Sequence, residues 1–272
     1  MTISVSYRFD DAVILITGAG SGIGAALARH CAREGATVVA VDRRHDSLLG
    51  ELDARARSRI DVRKVDVSDE PAVAALIDDV KGKYPRLDAA VLGAAIQYRT
   101  DLDKMNSAQW REVIDINLNG VFYCLQGIIP LLKSQRAGAI VAFTSGLALT
   151  GWPGASAYAA SKAALIGMIK SAAHELKAYN VRANVLSPGL RTTPIFIDVS
   201  TAAEREYYRQ SIGIGEPEGV VPTLLYLISD ASANLTGVVI EHRISPAKEQ
   251  TTLLDPDVTF GDTGGKGKLT GD

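Results

Sequence analysis

Short runs of apolar residues alternate along this chain with longer stretches of helical period. The runs at residues 13–17, 37–42, 60–65, 87–92, 139–144, 181–186 and 238–241 are rich in Val, Ile, Leu and Ala and lack strict in–out alternation. Strands of that composition are covered on both faces, as in a parallel sheet. Between them, residues 23–34, 46–57, 70–83, 107–132, 157–179 and 217–229 place apolar side chains on one helical face. The alternation predicts a single α/β domain over residues 1–244: a doubly wound parallel sheet of about seven strands flanked by helices. Right-handed crossovers then fix most of the topology. Residues 245–272 differ, with Gly261, Gly264, Gly265 and Gly267 among polar residues and no period. They read as a flexible tail, or as an arm packing on a neighbouring subunit.

Composition narrows the function classes. The chain has 272 residues, 29 Lys plus Arg against 31 Asp plus Glu, and a formal net charge of -2. That balance gives no electrostatic reason to expect nucleic acid or an anionic membrane as partner. No run of about 18 uncharged apolar residues suggests a membrane span. Residues 1–11 lack a basic start followed by an apolar run, so no secretory leader is expected and the cytoplasm is the expected location. Cys31 and Cys124 lie in apolar helical stretches and read as buried free thiols of a reducing compartment. His30, His45, His174 and His242 show no ligand spacing, so surface or packing roles are expected for all four, and no catalytic metal.

Thr17-Gly18-Ala19-Gly20-Ser21-Gly22-Ile23-Gly24 joins the first strand to the first helix. A turn that lets backbone approach a pyrophosphate must be tight and free of side chains. The helix N-terminus then offers N–H groups and the positive end of its dipole to the phosphates. Gly18, Ser21, Gly22, Ile23 and Gly24 are therefore candidate cofactor contacts. The second strand ends at Asp42, whose carboxylate can accept both hydroxyls of an adenosine ribose and repel a 2′-phosphate, favouring NAD. Arg43 and Arg44 follow at once, and an arginine there can bind a 2′-phosphate instead. Asp66 and Val67, after the third strand, can meet the adenine edge.

Tyr158 and Lys162 lie four apart, one turn along a single helix face. A free tyrosine has a pKa near 10, and a nearby cation lowers it. Bringing it to around 7–8 needs about 3–4 kcal/mol of preferential phenolate stabilisation. Ser145 ends a strand, at the sheet edge where such folds bind ligands, and can polarise a substrate oxygen. Asn117 sits inside a helical pattern, a poor place for asparagine unless its amide has a task; a helix–helix contact would also satisfy it.

Together these residues resemble the short-chain dehydrogenase/reductase family. Thr17–Gly24, Asn117, Ser145, Tyr158, Lys162 and Ser187-Pro188-Gly189 fall in that family's order and spacing, over about residues 11–237. The resemblance implies a Rossmann-type fold and NAD(P)-dependent hydride transfer. It implies Tyr158 as general base or acid and Lys162 as the residue that binds the nicotinamide ribose and lowers the tyrosine pKa. Ser145 would orient substrate, and Asn117 would hold a water of a proton relay. It also implies contacts from Gly93, Ala94, Pro188, Gly189, Leu190 and Thr193 to the cofactor, and a homodimer or homotetramer formed through two helices carrying Gly120, Gly127, Ala163, Ala164 and Gly167. Two features depart from the family. Gly93-Ala94-Ala95 stands where Asn-Ala-Gly is usual, and the last strand runs into Glu241-His242-Arg243-Ile244 rather than an Asp-Gly-Gly turn.

Ile96, Tyr98, Leu147, Leu149 and Trp152 are the expected substrate-lining residues, with 195–215 as a possible lid; the same apolar groups could simply be core. Arg99 and Arg191 are the candidate clamps for an anionic substrate. The expected reaction is NAD-dependent interconversion of a hydrophobic secondary alcohol, cyclic or aromatic, and its ketone. An NADP-dependent carbonyl reductase and a non-catalytic NAD-sensing protein are the rival readings; a pure sensor has no use for a proton relay.

Overall fold

A computed structural model describes residues 6–45, 48–50 and 52–242. The expected tail at 245–272 lies outside the described residues. In chain order the elements are β1 (Val13–Thr17), α1 (Gly22–Arg33), β2 (Thr37–Asp42), α2 (Ala54–Ser58), β3 (Ile60–Lys64), α3 (Glu70–Lys83) and β4 (Ala89–Leu92). Then come α4 (Ser107–Ile114), α5 (Gly120–Gln135), β5 (Gly138–Phe143), α6 (Leu147–Thr150), α7 (Ser156–Leu176) and β6 (Val181–Ser187). The described chain ends with α8 (Pro194–Ile197), α9 (Ala202–Ser211), α10 (Val221–Ile228) and β7 (Val239–Glu241).

The seven strands form one sheet in the order β3-β2-β1-β4-β5-β6-β7, every pairing parallel. The winding reverses between β1 and β4, which opens a crevice beyond their carboxyl ends. The unalternating strands are buried on both faces. Ile14, Ile16, Ala40 and Val91 pack with Leu27 of α1 and Leu224 of α10. Leu15, Val39 and Leu92 pack with Ile77 of α3, Ile128 of α5 and Leu165 of α7.

Three helical expectations are corrected. Of the helix expected at 46–57, residues 48–50 form a turn, and Asp53 accepts from the Ala56 N–H at 2.7 Å and caps a helix that begins at Ala54. Residues 217–229 divide into a 3-10 turn, Pro217–Val220, and α10, with Pro222 in the first turn of α10, where its missing N–H costs nothing. Residues 107–132 are interrupted by a π-helical turn over Asp115–Asn119, centred on Asn117. The whole run Ser107–Gln135 is long and apolar enough, by length and composition, to cross a membrane, although the sequence reading found no such run. In the fold Val121, Cys124, Leu125, Ile128 and Leu132 of α5 are buried in the core. Gly120 and Gly127 face Val67 and Ile77 of the same subunit, where an added Cβ would come within 2.7 and 3.0 Å. Their small size lets α5 pack closely on α3 and on the segment after β3.

Candidate active site

The turn after β1 is shaped for close approach. A Cβ on Gly20 would stand 1.8 Å from the Arg44 carbonyl oxygen and 2.8 Å from Asp42 Cγ, so only glycine lets the ends of β1 and β2 meet there. Gly22 opens α1 at φ +52°, with Thr193 Cγ2 2.9 Å from where its Cβ would lie. Ser21 does not cap α1 with its side chain, and no acidic residue lies in the first turn. The N-terminus of a twelve-residue helix is thereby left to an anion. The Asp42 carboxylate accepts from the Gly20 N–H at 2.9 Å and the Arg44 N–H at 3.1 Å, which fixes it at the rim of the crevice. This glycine cradle, open helix end and fixed carboxylate fit a dinucleotide.

Neighbouring candidates fall in place around it. Gly93 and Ala94 both donate to Thr17 Oγ1, at 3.1 and 3.3 Å. Thr17, which has no distinguishing signal in the sequence, thus anchors this segment where Gly93 stands in place of asparagine. Asp66 accepts from the Ser68 N–H at 3.0 Å and the Ser68 hydroxyl at 2.7 Å, and pairs with Arg43 at 3.4 Å. Burial raises its pKa, but these partners outweigh it and hold the carboxyl below the usual range. Val67 is buried against Gly120. Pro188, Gly189, Leu190 and Thr193 follow β6, and Thr193 closes on Gly22 as described.

Tyr158 and Lys162 share one face of α7, beneath the segment that follows β5. Ser145 acts on the Tyr158 phenol and favours its ionised form, and the Leu147 N–H donates to Ser145 Oγ at 3.2 Å. Lys162 is buried; its Nζ donates to the Phe143 carbonyl at 3.0 Å and lies 5.6 Å from the centre of the Tyr158 ring. The Thr144 hydroxyl donates to the Lys162 carbonyl at 2.8 Å, tying α7 to the end of β5. Burial pushes the phenol up to about 12, opposed by Ser145, and pushes the ammonium down to about 8. The expected lowering of the tyrosine pKa by Lys162 is therefore not the balance in this structure, where desolvation dominates both groups.

Asn117 is fully buried. Its Oδ1 accepts from the Ile96 N–H at 2.8 Å, and its Nδ2 donates to the Ile96 carbonyl at 2.9 Å and to Ser161 Oγ at 3.1 Å. Ser161 in turn donates to the Tyr158 carbonyl at 2.7 Å. Both amide protons are committed, so the water-holding role implied by resemblance does not fall to them. The Asn117 side chain fixes the segment after β4 to α7.

Of the expected substrate-lining residues, Ile96, Leu147 and Trp152 are half-buried, whereas Leu149 is 69 % exposed on α6. The Tyr98 hydroxyl donates to Glu112 at 2.5 Å. Residues 195–215 form α8 and α9. Tyr208 of α9 makes an edge contact with Trp152 at 5.7 Å and a tilted contact with Phe196 at 6.1 Å. Neither clamp arginine stands free. Arg99 pairs with Glu204 of α9 at 2.8 Å, and Arg191 is buried, donating to the carbonyls of Pro188 and Glu216 and meeting His242.

A fold wound around a dinucleotide crevice, with half-buried Ser145 and Tyr158 beside buried Lys162 at the carboxyl edge of its sheet, defines a nicotinamide-dependent oxidoreductase class. The chain belongs to the short chain dehydrogenase family, whose model matches residues 12–204, and it is an NAD(P)-dependent oxidoreductase. It is 39 % identical over 238 residues to the 3-oxoacyl-[acyl-carrier-protein] reductase FabG of Thermotoga maritima, covering 86 % of this chain and 96 % of that one. It is 34 % identical over 259 residues to the 3beta-hydroxysteroid dehydrogenase of Mediterraneibacter gnavus, covering 86 % and 94 %. The crystal structure of the 3-ketoacyl-(acyl-carrier-protein) reductase of Brucella melitensis with NADH superposes at a TM-score of 0.78, with 25 % identity over 86 % of this chain and 97 % of that chain.

Proposed function

We propose that the chain interconverts a hydrophobic secondary alcohol and its ketone with NAD as cofactor, using Tyr158 as the proton-transfer group. The observation that carries this reading is the buried Lys162 ammonium 5.6 Å from the phenol ring of Tyr158, with Ser145 acting on the same phenol. When bound, the dinucleotide supplies the hydride acceptor or donor and, oxidised, a positive charge. Asp42 and the turn at residues 18–24 bind and orient it. Ser145 accepts from the Leu147 N–H, which leaves its own proton for the substrate oxygen or the phenol.

In ketone reduction Tyr158 gives its proton to the forming alkoxide, and a phenol at about 12 holds that proton ready. In alcohol oxidation the same oxygen must receive a proton. Lowering it from about 12 to neutrality takes roughly 7 kcal/mol of phenolate stabilisation. Cationic charge at Lys162 and on the oxidised cofactor is the source available beside it. Trp152, Phe196 and Tyr208 exclude water and favour a flat or cyclic apolar substrate, in keeping with the steroid alcohol named for one relative. NADP use is the second reading, favoured by Arg43 and Arg44 directly after Asp42. The reading also has the chain working in the cytoplasm as a homodimer or homotetramer. Trp110 and Phe122, exposed on α4 and α5, are apolar surface that such pairing would cover.

The test is a panel of secondary alcohols and ketones followed by NADH absorbance. Tyr158→Phe should lose about 10²–10⁴-fold in kcat while still binding NADH, as read by nicotinamide fluorescence. An unchanged rate in that variant removes Tyr158 from the mechanism.

A further inference from the structure

The carboxyl end of β7 is where this chain leaves its family's pattern, and it touches the cofactor crevice. His242 donates its backbone N–H to the Ser187 carbonyl at 2.8 Å, which aligns the ends of β6 and β7. Its ring then reaches the segment 188–193. Arg191 Nη2 lies 2.5 Å from His242 Nδ1, Arg191 Nε donates to the Pro188 carbonyl at 2.8 Å, and Nη1 to the Glu216 carbonyl at 3.4 Å. A Cβ on Gly219 would stand 3.0 Å from Arg191 Nη1, so the turn after Glu216 packs on the guanidinium. One buried guanidinium thus joins the segment after β6, the turn Pro217–Val220 and the end of β7. Two residues on, Thr193 closes over Gly22 at the start of α1.

An arginine donates and never accepts, so His242 Nδ1 must accept here, and the ring is neutral with its proton on Nε2. Of the neighbouring carboxyl residues, Glu216 and Glu218 are bonded elsewhere. Glu216 lends Arg191 only its carbonyl, while its carboxylate accepts from the Thr192 hydroxyl at 3.3 Å. Glu218 pairs with Arg29 of α1 at 3.5 Å. A proton on Nδ1 would set two donors and two like charges against each other in a site where Arg191 is only 5 % exposed. The contact must then open. Burial first, and the Arg191 charge second, hold the His242 pKa below its ordinary value.

We propose that His242 is a pH-sensitive positioning residue for the segment 188–193: while neutral it holds Arg191 and keeps the segment closed on the cofactor crevice, and protonation releases the segment and weakens dinucleotide binding. The proposal rests on the crevice being a dinucleotide site. It is tested by NADH fluorescence titration between pH 5.5 and 8, with thermal unfolding recorded alongside. Wild type should bind several-fold more weakly at pH 5.5 than at pH 8. His242→Asn supplies an amide oxygen that accepts from Arg191 and does not titrate; it should bind tightly at both ends. His242→Ala should bind weakly at both. In a proton NMR titration the His242 ring resonance, identified by its loss in His242→Asn, should titrate below about 6.5 and move upward in Arg191→Met. If His242→Asn keeps the wild-type acid-side loss, or His242→Ala binds like wild type throughout, the positioning role is overturned. Wild type failing to bind NADH at pH 8 overturns the dinucleotide reading, and this role with it.

Discussion

Asp42 shows how one side chain can carry a cofactor choice. Its carboxylate is held by two backbone N–H groups, so it stays at the crevice rim as a fixed negative charge. Asp42→Ala leaves the Gly20 and Arg44 N–H groups without that acceptor and frees the crevice for a 2′-phosphate beside Arg43 and Arg44. NADH affinity should fall by about 10–100-fold, the worth of one or two charge-assisted hydrogen bonds, while NADPH affinity should hold or rise. Fluorescence titration with both cofactors measures this; tighter NADH binding in the variant would refute the role. At this scale the sequence was most legible where a residue type was odd for its place. Asn117 inside a helical pattern signalled a task. The nature of that task was hidden, because its partners, Ile96 and Ser161, are 21 and 44 residues away and meet it only in the fold. Arg191 misled for the same reason. A lone arginine near a site reads as a substrate clamp until packing shows it buried on carbonyls and His242.

Elements were legible to the degree that local chemistry set their ends. β1, β2 and α3 have the limits expected, since their runs are bounded by sharp changes of residue type. The helix expected at 46–57 failed because Asp53 caps inside it. Edge strand β3 is a mixed case: its pattern Ile-Asp-Val-Arg-Lys is only half apolar, and side-chain bonds hold it. Asp61 accepts from Arg63 at 2.9 and 2.8 Å, from Lys83 at 3.0 Å and from the Tyr84 hydroxyl at 2.7 Å, clasping β3 to the end of α3. Burial raises its pKa, but these donors prevail and lower it. A carboxyl lowered on folding stabilises above its unfolded pKa of about 3.9 and loses that contribution as pH falls through the folded value. Asp61→Asn should therefore cost about 1–3 kcal/mol at pH 7, with the gap from wild type closing below pH 4. Urea unfolding at pH 7 and pH 3 reads it; an equal gap at both would show that charge is not what holds the edge.

At the scale of the whole molecule, the parallel order of strands brings the ends of β1, β4, β5 and β6 to one edge, where Lys162 is buried and Ser145 and Tyr158 are half-buried. That arrangement was legible from alternation and handedness alone. Its energetic consequence was not, because burial of Tyr158 and Lys162 is set by helices from three parts of the chain. Lys162 is pushed down to about 8 against about 10.4 when unfolded. Between those values the unfolded state binds more protons, so stability is lost as pH falls from above 10 towards 8. Tyr158 is pushed up to about 12 against about 10. There the native state keeps the proton longer, so stability is lost as pH rises from 10 towards 12. The two effects oppose each other on either side of pH 10. The protein should gain on the order of 2 kcal/mol between pH 8 and 10 from the lysine and lose a comparable amount above 10 from the tyrosine. Lys162→Met should flatten the first limb and Tyr158→Phe the second, each leaving the other in place, as measured by denaturant unfolding across pH 7–11.5. A wild-type profile that falls steadily from pH 8, unchanged in both variants, would mean that other groups govern alkaline stability and that the cluster is more open to water than its packing implies.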